Sequence, residues 1–229
     1  MYKESITDIF FDLDHTLWDF ERNSRLTFKK IFRAHKVGVM LEEFLHLYIP
    51  LNLAYWKMYR ENRISKPDLR YQRLRKVFDS LNYDIEDELI NTLSEEYITY
   101  LSSFNHLISN TTEVLEYLYP GYNLHIITNG FQEIQHKKLK NARIDHYFDI
   151  IVNSEMAGVK KPNPGIFRLA LEEAKVGPEK ALMIGDNLEA DILGAQAVGI
   201  RAIHYNAHKE PAHGHCDMID DLIEIKSYL

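Results

Sequence analysis

Residues 104–229 repeat one pattern: a short aliphatic run, a small polar cluster, then an amphipathic stretch of helical length. NLHIIT is followed by TNG and QEIQHKKLK, DIIVNS by KKPNP and GIFRLALEEAK, and ALMIGD by LEADILGAQAVG, with RAIHY as the last run. Runs of this length, rich in β-branched residues and separated by helices, read as parallel strands joined by crossover helices. In the second helix Ile166, Phe167, Ala170, Leu171 and Ala174 share one face at helical spacing, the face a sheet would cover. The N-terminal run ITDIFFDLD supplies another strand. The predicted fold class is therefore α/β, a doubly wound parallel sheet of Rossmann-like type.

The first strand is separated from the others by a stretch of different character. From Trp18 to Ser103 there is one glycine, Gly38, and two prolines, Pro50 and Pro67. Leu69, Leu74, Val77, Phe78 and Leu81 recur there at near-helical spacing. The expected organisation is an α/β core from residues 1–17 and 104–229, with a helical insert over 18–103. An insert leaving from a strand's C-terminal end sits above the crevice where open α/β sheets bind ligands. Charge divides the same way. The chain is −7 overall, but the insert has 14 Lys/Arg against 13 Asp/Glu, which leaves −8 in the remainder. An acidic balance disfavours a nucleic-acid polymer or an anionic membrane as partner, without excluding a small anion held by a local site. Cys216 is the single cysteine, so no internal disulfide forms. No apolar run approaches the ~20 residues of a membrane span, and the N-terminal residues lack a signal-peptide core. A cytoplasmic protein is the expectation.

Four short motifs fall at predicted strand ends or in the adjoining loops: Asp12-Leu13-Asp14-His15-Thr16, Thr128-Asn129-Gly130, Lys160-Lys161-Pro162 and Gly185-Asp186-Asn187, with Asp191 one turn on. In a parallel sheet the carboxyl ends of the strands share one edge, so residues distant in the chain can converge. Asp12, Asp14 and Asp186 would repel one another unless a cation sat among them, and all-oxygen ligands suit a hard ion, Mg2+. The Thr128 hydroxyl, the N–H groups of the Asn129-Gly130 turn and the Lys161 ammonium can hold anionic oxygens. A carboxylate in such a site can attack phosphorus, and a second acid two residues on can move the proton. Alone, each motif is as well explained by a helix cap or a turn. Their order and placement on one α/β pattern carry the argument.

The set DLDHT, TNG, KKPNPGIF and GDNLEAD resembles the motifs of the haloacid dehalogenase-like hydrolase superfamily, with the helical stretch in the place of its cap domain. The resemblance implies Asp12 as nucleophile and Asp14 as general acid/base. It also implies Mg2+ bound by Asp12, the Asp14 backbone carbonyl and Asp186. Thr128, Asn129 and Lys161 would hold phosphate, while Thr16, Gly130 and Asp191 would support the site. Dehalogenases of the superfamily lack the second acid, so Asp14 implies phosphomonoester hydrolysis. The run DLDHTLWDFERNS, with His15 where many relatives have Gly, resembles the pyrimidine 5′-nucleotidase branch. That implies a nucleoside monophosphate as the small phosphorylated partner.

Candidate substrate contacts are His15, Trp18, Tyr55 and Arg63, with Trp56, Tyr59, Arg70 and Arg73 nearby in sequence. The three arginines read as solvated. So does the run Lys137, Lys138 and Lys140, and the His204, His208, His213, His215, Cys216 stretch reads as a solvated loop without a zinc framework. G-x-x-x-x-G-K-[ST] is absent. Rival readings are a phosphatase for phosphoglycolate or a sugar phosphate, a phosphomutase, and a catalytically silent regulator on the same fold.

Overall fold

The computed structural model describes residues 5–229. By its internal contacts the chain divides into two compact units, one of Met1–Phe20 with Asn105–Leu229 and one of Glu21–Phe104.

The first unit is built on a six-stranded parallel sheet ordered β3-β2-β1-β4-β5-β6. The strands are β1 (Asp8–Phe11), β2 (Asn123–Thr128), β3 (Phe148–Asn153), β4 (Ala181–Gly185), β5 (Arg201–Tyr205) and β6 (Asp217–Ile219). β1 lies between β2 and β4, with Phe11 opposite Ile126 on one side and Ile184 on the other. A strand covered on both faces reads as a continuous apolar run, and every residue of β1 is buried. The crossovers carry α5 (Thr111–Leu118), α6 (Gln132–Asn141), the short α7 (Ser154–Ala157) and α8 (Pro164–Ala174). Ile166, Phe167, Ala170 and Leu171 of α8 pack with Phe10, Ile127, Val152 and Met183 of the sheet. Asn163 caps α8 by accepting from Gly165 N–H, and Pro164 takes its first turn, where a missing N–H costs nothing.

After β4 the expected regular helix is replaced by a widened π-type turn over Leu188–Leu193, leading into α9 (Gly194–Gln196). Asn187 C=O accepts from both Asp191 and Ile192 N–H, and the Asn187 side chain accepts from Ala190 N–H. That local hydrogen bonding competes with a standard helical start. Trp18, Asp19 and Phe20 belong with this unit: Trp18 bridges to Leu107, and Asp19 N–H donates to His106 C=O.

The second unit holds α1 (Phe20–Ala34) from its second residue on, with α2 (Leu41–Arg60), α3 (Lys66–Ser80) and α4 (Asp87–Leu101). Its core is aromatic. Around Phe28, Tyr97 stacks, Tyr48 meets it edge-on and Phe44 lies tilted, with Phe78 against Phe44. Leu69, Leu74, Val77 and Phe78 form the buried stripe of α3. Arg73 joins them rather than solvent. It is 2 % exposed, donates to Asn52 Oδ1 at 2.9 Å and lies 5.0 Å from the Tyr97 ring centre. Its place on the buried stripe and the aromatic face that accepts its planar cation explain the departure from the solvated reading. Arg70 is half-buried and Arg63 exposed.

Candidate active site

The C-terminal edge of the sheet gathers the motif residues. Asp12 follows β1, Thr128 ends β2, Lys161 comes from the loop after α7, and Asp186 follows β4. Because β1 is flanked by β2 and β4, Asp12 is central.

Lys161 is 1 % exposed. Its Nζ donates to Asp12 Oδ1 at 2.5 Å and Ile127 C=O at 2.6 Å, and lies 2.7 Å from Asp191 Oδ1. Burial works against its charge, but Asp12 and Asp191 outweigh that and hold the ammonium well above the usual lysine range. Asp12 also moves up, but for a carboxyl that disfavours the charged form. Burial raises its carboxyl well above the usual range, Lys161 pulls it down, and Asp191 and Asp186 push it up again. Asp191 is likewise raised by burial against the pull of Lys161. Burial also penalises the Asp186 carboxylate. The His208 hydrogen bond and the charges of His15, His208 and Lys161 more than offset this, so its carboxyl lies below the usual value.

Asn129 fixes Lys161 from behind. Its Nδ2 donates to Lys161 C=O at 3.0 Å and its Oδ1 accepts from Lys161 N–H at 2.8 Å. Both ends of the amide are thus used on the lysine backbone, so the geometry favours support over direct phosphate contact. The Gly130 N–H, expected to face an anion, instead donates to Thr128 Oγ1 at 3.0 Å. The turn folds back on the hydroxyl that precedes it. Thr16 Oγ1 donates to Asp186 Oδ1 at 3.3 Å. Gly185 leaves room for Asp191, since a Cβ there would overlap the Asp191 carboxylate.

Asp12, Asp186 and Asp191 present carboxylate oxygens within 4.8 Å of one another, all buried. Three buried carboxylates against one lysine leave an excess of negative charge, which a divalent cation with oxygen ligands would balance. The donor set fits Mg2+. The Asp14 side chain turns elsewhere, toward α6, where Lys138 Nζ donates to Oδ1 at 2.6 Å and Gln135 Nε2 to Oδ2 at 3.2 Å.

Three sequence readings change here. Lys138 is not on a solvated face. It is 1 % exposed and lies 4.3 Å from the Trp18 ring centre, whereas Lys137 and Lys140 are exposed. The stripe Ile134, Gln135, Lys138 and Leu139 is the buried side of α6, so one lysine of the run points inward to a carboxylate. Trp18, a candidate substrate contact, is fully buried beneath that lysine. The histidine stretch is also not simply a solvated loop. His204 is buried within β5, with Nε2 2.8 Å from the Asp186 carbonyl and Nδ1 2.8 Å from His213 Nε2. A carbonyl only accepts, so His204 Nε2 carries the proton. His208 reaches back to Asp186 Oδ2 at 2.9 Å. Burial within a strand and the acceptors of Asp186 bring these imidazoles in.

His15 has φ 68°, the left-handed region that favours glycine, and its ring lies between Phe20 at 4.8 Å and His208 at 5.1 Å. Tyr55 and Arg63 lie in the helical unit, half-buried and exposed respectively, with Arg63 paired to Glu61. Sequence reasoning missed Gln135, Lys138, His204 and His208. The signal available for the first two was a polar pair at i, i+3 on the apolar stripe of a helix.

A family model described as haloacid dehalogenase-like hydrolase matches residues 9–205. The pyrimidine 5′-nucleotidase PynA of Streptococcus pneumoniae is 30 % identical over 90 % of this chain and 86 % of its own length. The pyrimidine 5′-nucleotidase YjjG of Escherichia coli is 32 % identical over 87 % of this chain and 86 % of its own. Among solved structures, that of the HAD-hydrolase YfnB of Bacillus subtilis bound to magnesium superposes with a TM-score of 0.88 at 24 % identity, covering 98 % of this chain and 99 % of that one. No helix among the described residues is long and apolar enough to cross a membrane.

Proposed function

The chain belongs to the haloacid dehalogenase-like hydrolase family and is a phosphatase of that family, and on that premise we propose that it hydrolyses small phosphate monoesters through an aspartyl-phosphate on Asp12. The observation that carries this reading is the buried contact of Asp12 with Lys161, with Thr128 and Asp186 on the same sheet edge and a second acid, Asp14, two residues on.

A carboxylate oxygen of Asp12 attacks phosphorus as the bond to the leaving oxygen breaks, and Asp14 gives that oxygen its proton. Water then attacks the acyl-phosphate and yields a proton to Asp14. Orthophosphate leaves, and the Asp12 carboxylate is restored. Lys161 and the Thr128 hydroxyl hold the phosphate oxygens. Asp12, Asp186 and the Asp14 backbone carbonyl would hold Mg2+, with Asp191 beside them. When bound, the cation balances the acidic cluster and polarises a phosphate oxygen. The helical unit is the cap in this reading and selects the substrate.

The preferred substrate is a pyrimidine nucleoside 5′-monophosphate. The names of the PynA and YjjG relatives support this, as does the run Asp12–Phe20. Phosphate release from dUMP, UMP, AMP, phosphoglycolate and glucose 1-phosphate with Mg2+ is the test. Release fastest from the pyrimidine nucleotides is expected, with loss of turnover in D12N and in EDTA. Equal rates across the panel sink the nucleotide preference alone. D12N activity within about tenfold of wild type sinks the mechanism.

A further inference from the structure

Two residues of α6 outside the family motifs quoted above converge on the site from one side. Gln135 and Lys138 lie at i, i+3, both fully buried, and between them they take both oxygens of Asp14: Lys138 Nζ on Oδ1 at 2.6 Å, Gln135 Nε2 on Oδ2 at 3.2 Å. The remaining Gln135 amide hydrogen goes to Thr128 Oγ1 at 2.7 Å. Thr128 Oγ1 also accepts from Gly130 N–H at 3.0 Å. With two donors already on that oxygen, its own hydrogen is left to donate outward.

Packing does not explain the pair. Gln135 Oε1 is buried without a hydrogen-bond partner, a cost that an apolar side chain would avoid. Lys138 is a buried cation on the apolar stripe of its helix, placed over Trp18 at 4.3 Å and Phe20 at 5.6 Å. The aromatic faces lower the cost of its burial and limit where its ammonium can sit. Gly130 clears space for the arrangement, because a Cβ there would run into the Gln135 amide.

We propose that Gln135 and Lys138 are positioning residues for phosphoryl transfer: together they aim the Asp14 carboxyl, and Gln135 in addition sets the Thr128 hydroxyl as a donor to phosphate. The inference rests on the phosphatase reading above and adds to it the means by which acid and phosphate holder keep one geometry. Gln135 bonds to both, so the two groups share one fixed point.

The test uses leaving-group dependence. The oxygen leaving dUMP, or the best alkyl phosphate of the panel, is an alkoxide that needs a proton. The phenolate leaving p-nitrophenyl phosphate does not. kcat/KM is measured for both substrates with wild type, K138M, K138R and Q135L, alongside thermal unfolding. A misaimed acid should cost the alkyl substrate about 10- to 100-fold more than the aryl one in K138M, and K138R should recover most of the difference. Q135L should show the same bias and also raise the inhibition constant of orthophosphate about tenfold. Equal losses on both substrates, or an orthophosphate constant unmoved in Q135L, overturn the inference while the phosphatase reading stands. A wild type inert toward every phosphate overturns both. Should K138M fail to fold, Q135L carries the same two readouts.

Discussion

Burial makes the carboxylates of Asp12 and Asp191 costly, and Lys161 meets both. The sign of the resulting pH dependence follows. A carboxyl raised by burial favours the folded state when protonated, so its contribution is present below the ordinary value near 3.8 and lost as pH rises through the raised one. Without divalent cation, wild type should therefore lose stability relative to D12N as pH rises, measured as the difference of their Tm values. Gly185→Ala should displace the Asp191 carboxylate from Lys161 and lower kcat about 10- to 100-fold with the far-UV spectrum kept. Cys216, whose thiol burial raises to about 11, should alkylate about 100-fold more slowly at pH 8 than an ordinary thiol. At this scale the convergence of Asp12, Thr128, Lys161 and Asp186 on one sheet edge was legible, because their motifs fall at the ends of parallel strands or in the adjoining loops. Lys138 was not. A lysine between Lys137 and Lys140 looks solvated until the fold shows Asp14 opposite it.

Among the elements, α6 does more than cover the sheet. Its inward stripe holds the Asp14 carboxyl through Gln135 and Lys138, so a helix that began as a spacer in the sequence reaches a motif residue of the first strand's end. The strands were legible from their runs of aliphatic residues, since parallel strands buried on both faces have no polar alternation to blur. The segment after β4 was not. LEADILGAQAVG has helical spacing, but Asn187 caps and widens its first turn, and periodicity carries no information on a five-residue hydrogen bond. Arg73 fails for a related reason. A cation on an apolar helix face finds Asn52 and two tyrosine rings only once α2 and α4 are in place. α3 offers a direct test of local signals. Ser65 and Asp68 form a capping box ahead of its first turn. Ser65→Ala should cost about 1 kcal/mol, read as a lower Tm.

For the molecule as a whole, the net negative charge lies in the α/β unit, the one that holds the Asp12, Asp186 and Asp191 cluster. Divalent cation saturating the Asp12, Asp186 and Asp191 cluster at about 100 times its dissociation constant should stabilise the fold by about 2.7 kcal/mol, raising Tm, and a chelator should reverse the shift. No shift would separate the cluster from metal binding. The order of the strands has a further consequence, for biosynthesis. β1 is made first, yet its neighbours are β2 and β4, and β4 begins at Ala181. At about 5–20 residues per second on the ribosome, β1 waits roughly 10–30 s for its second neighbour. Meanwhile the helical unit, contiguous in the chain and with its own aromatic core, is complete by Phe104. The nascent chain therefore carries an unpaired apolar strand, DIFF, ahead of a finished helical body. The sheet edge that carries Asp12 closes only after β4 has been translated, so the first strand stays an exposed apolar segment through much of synthesis.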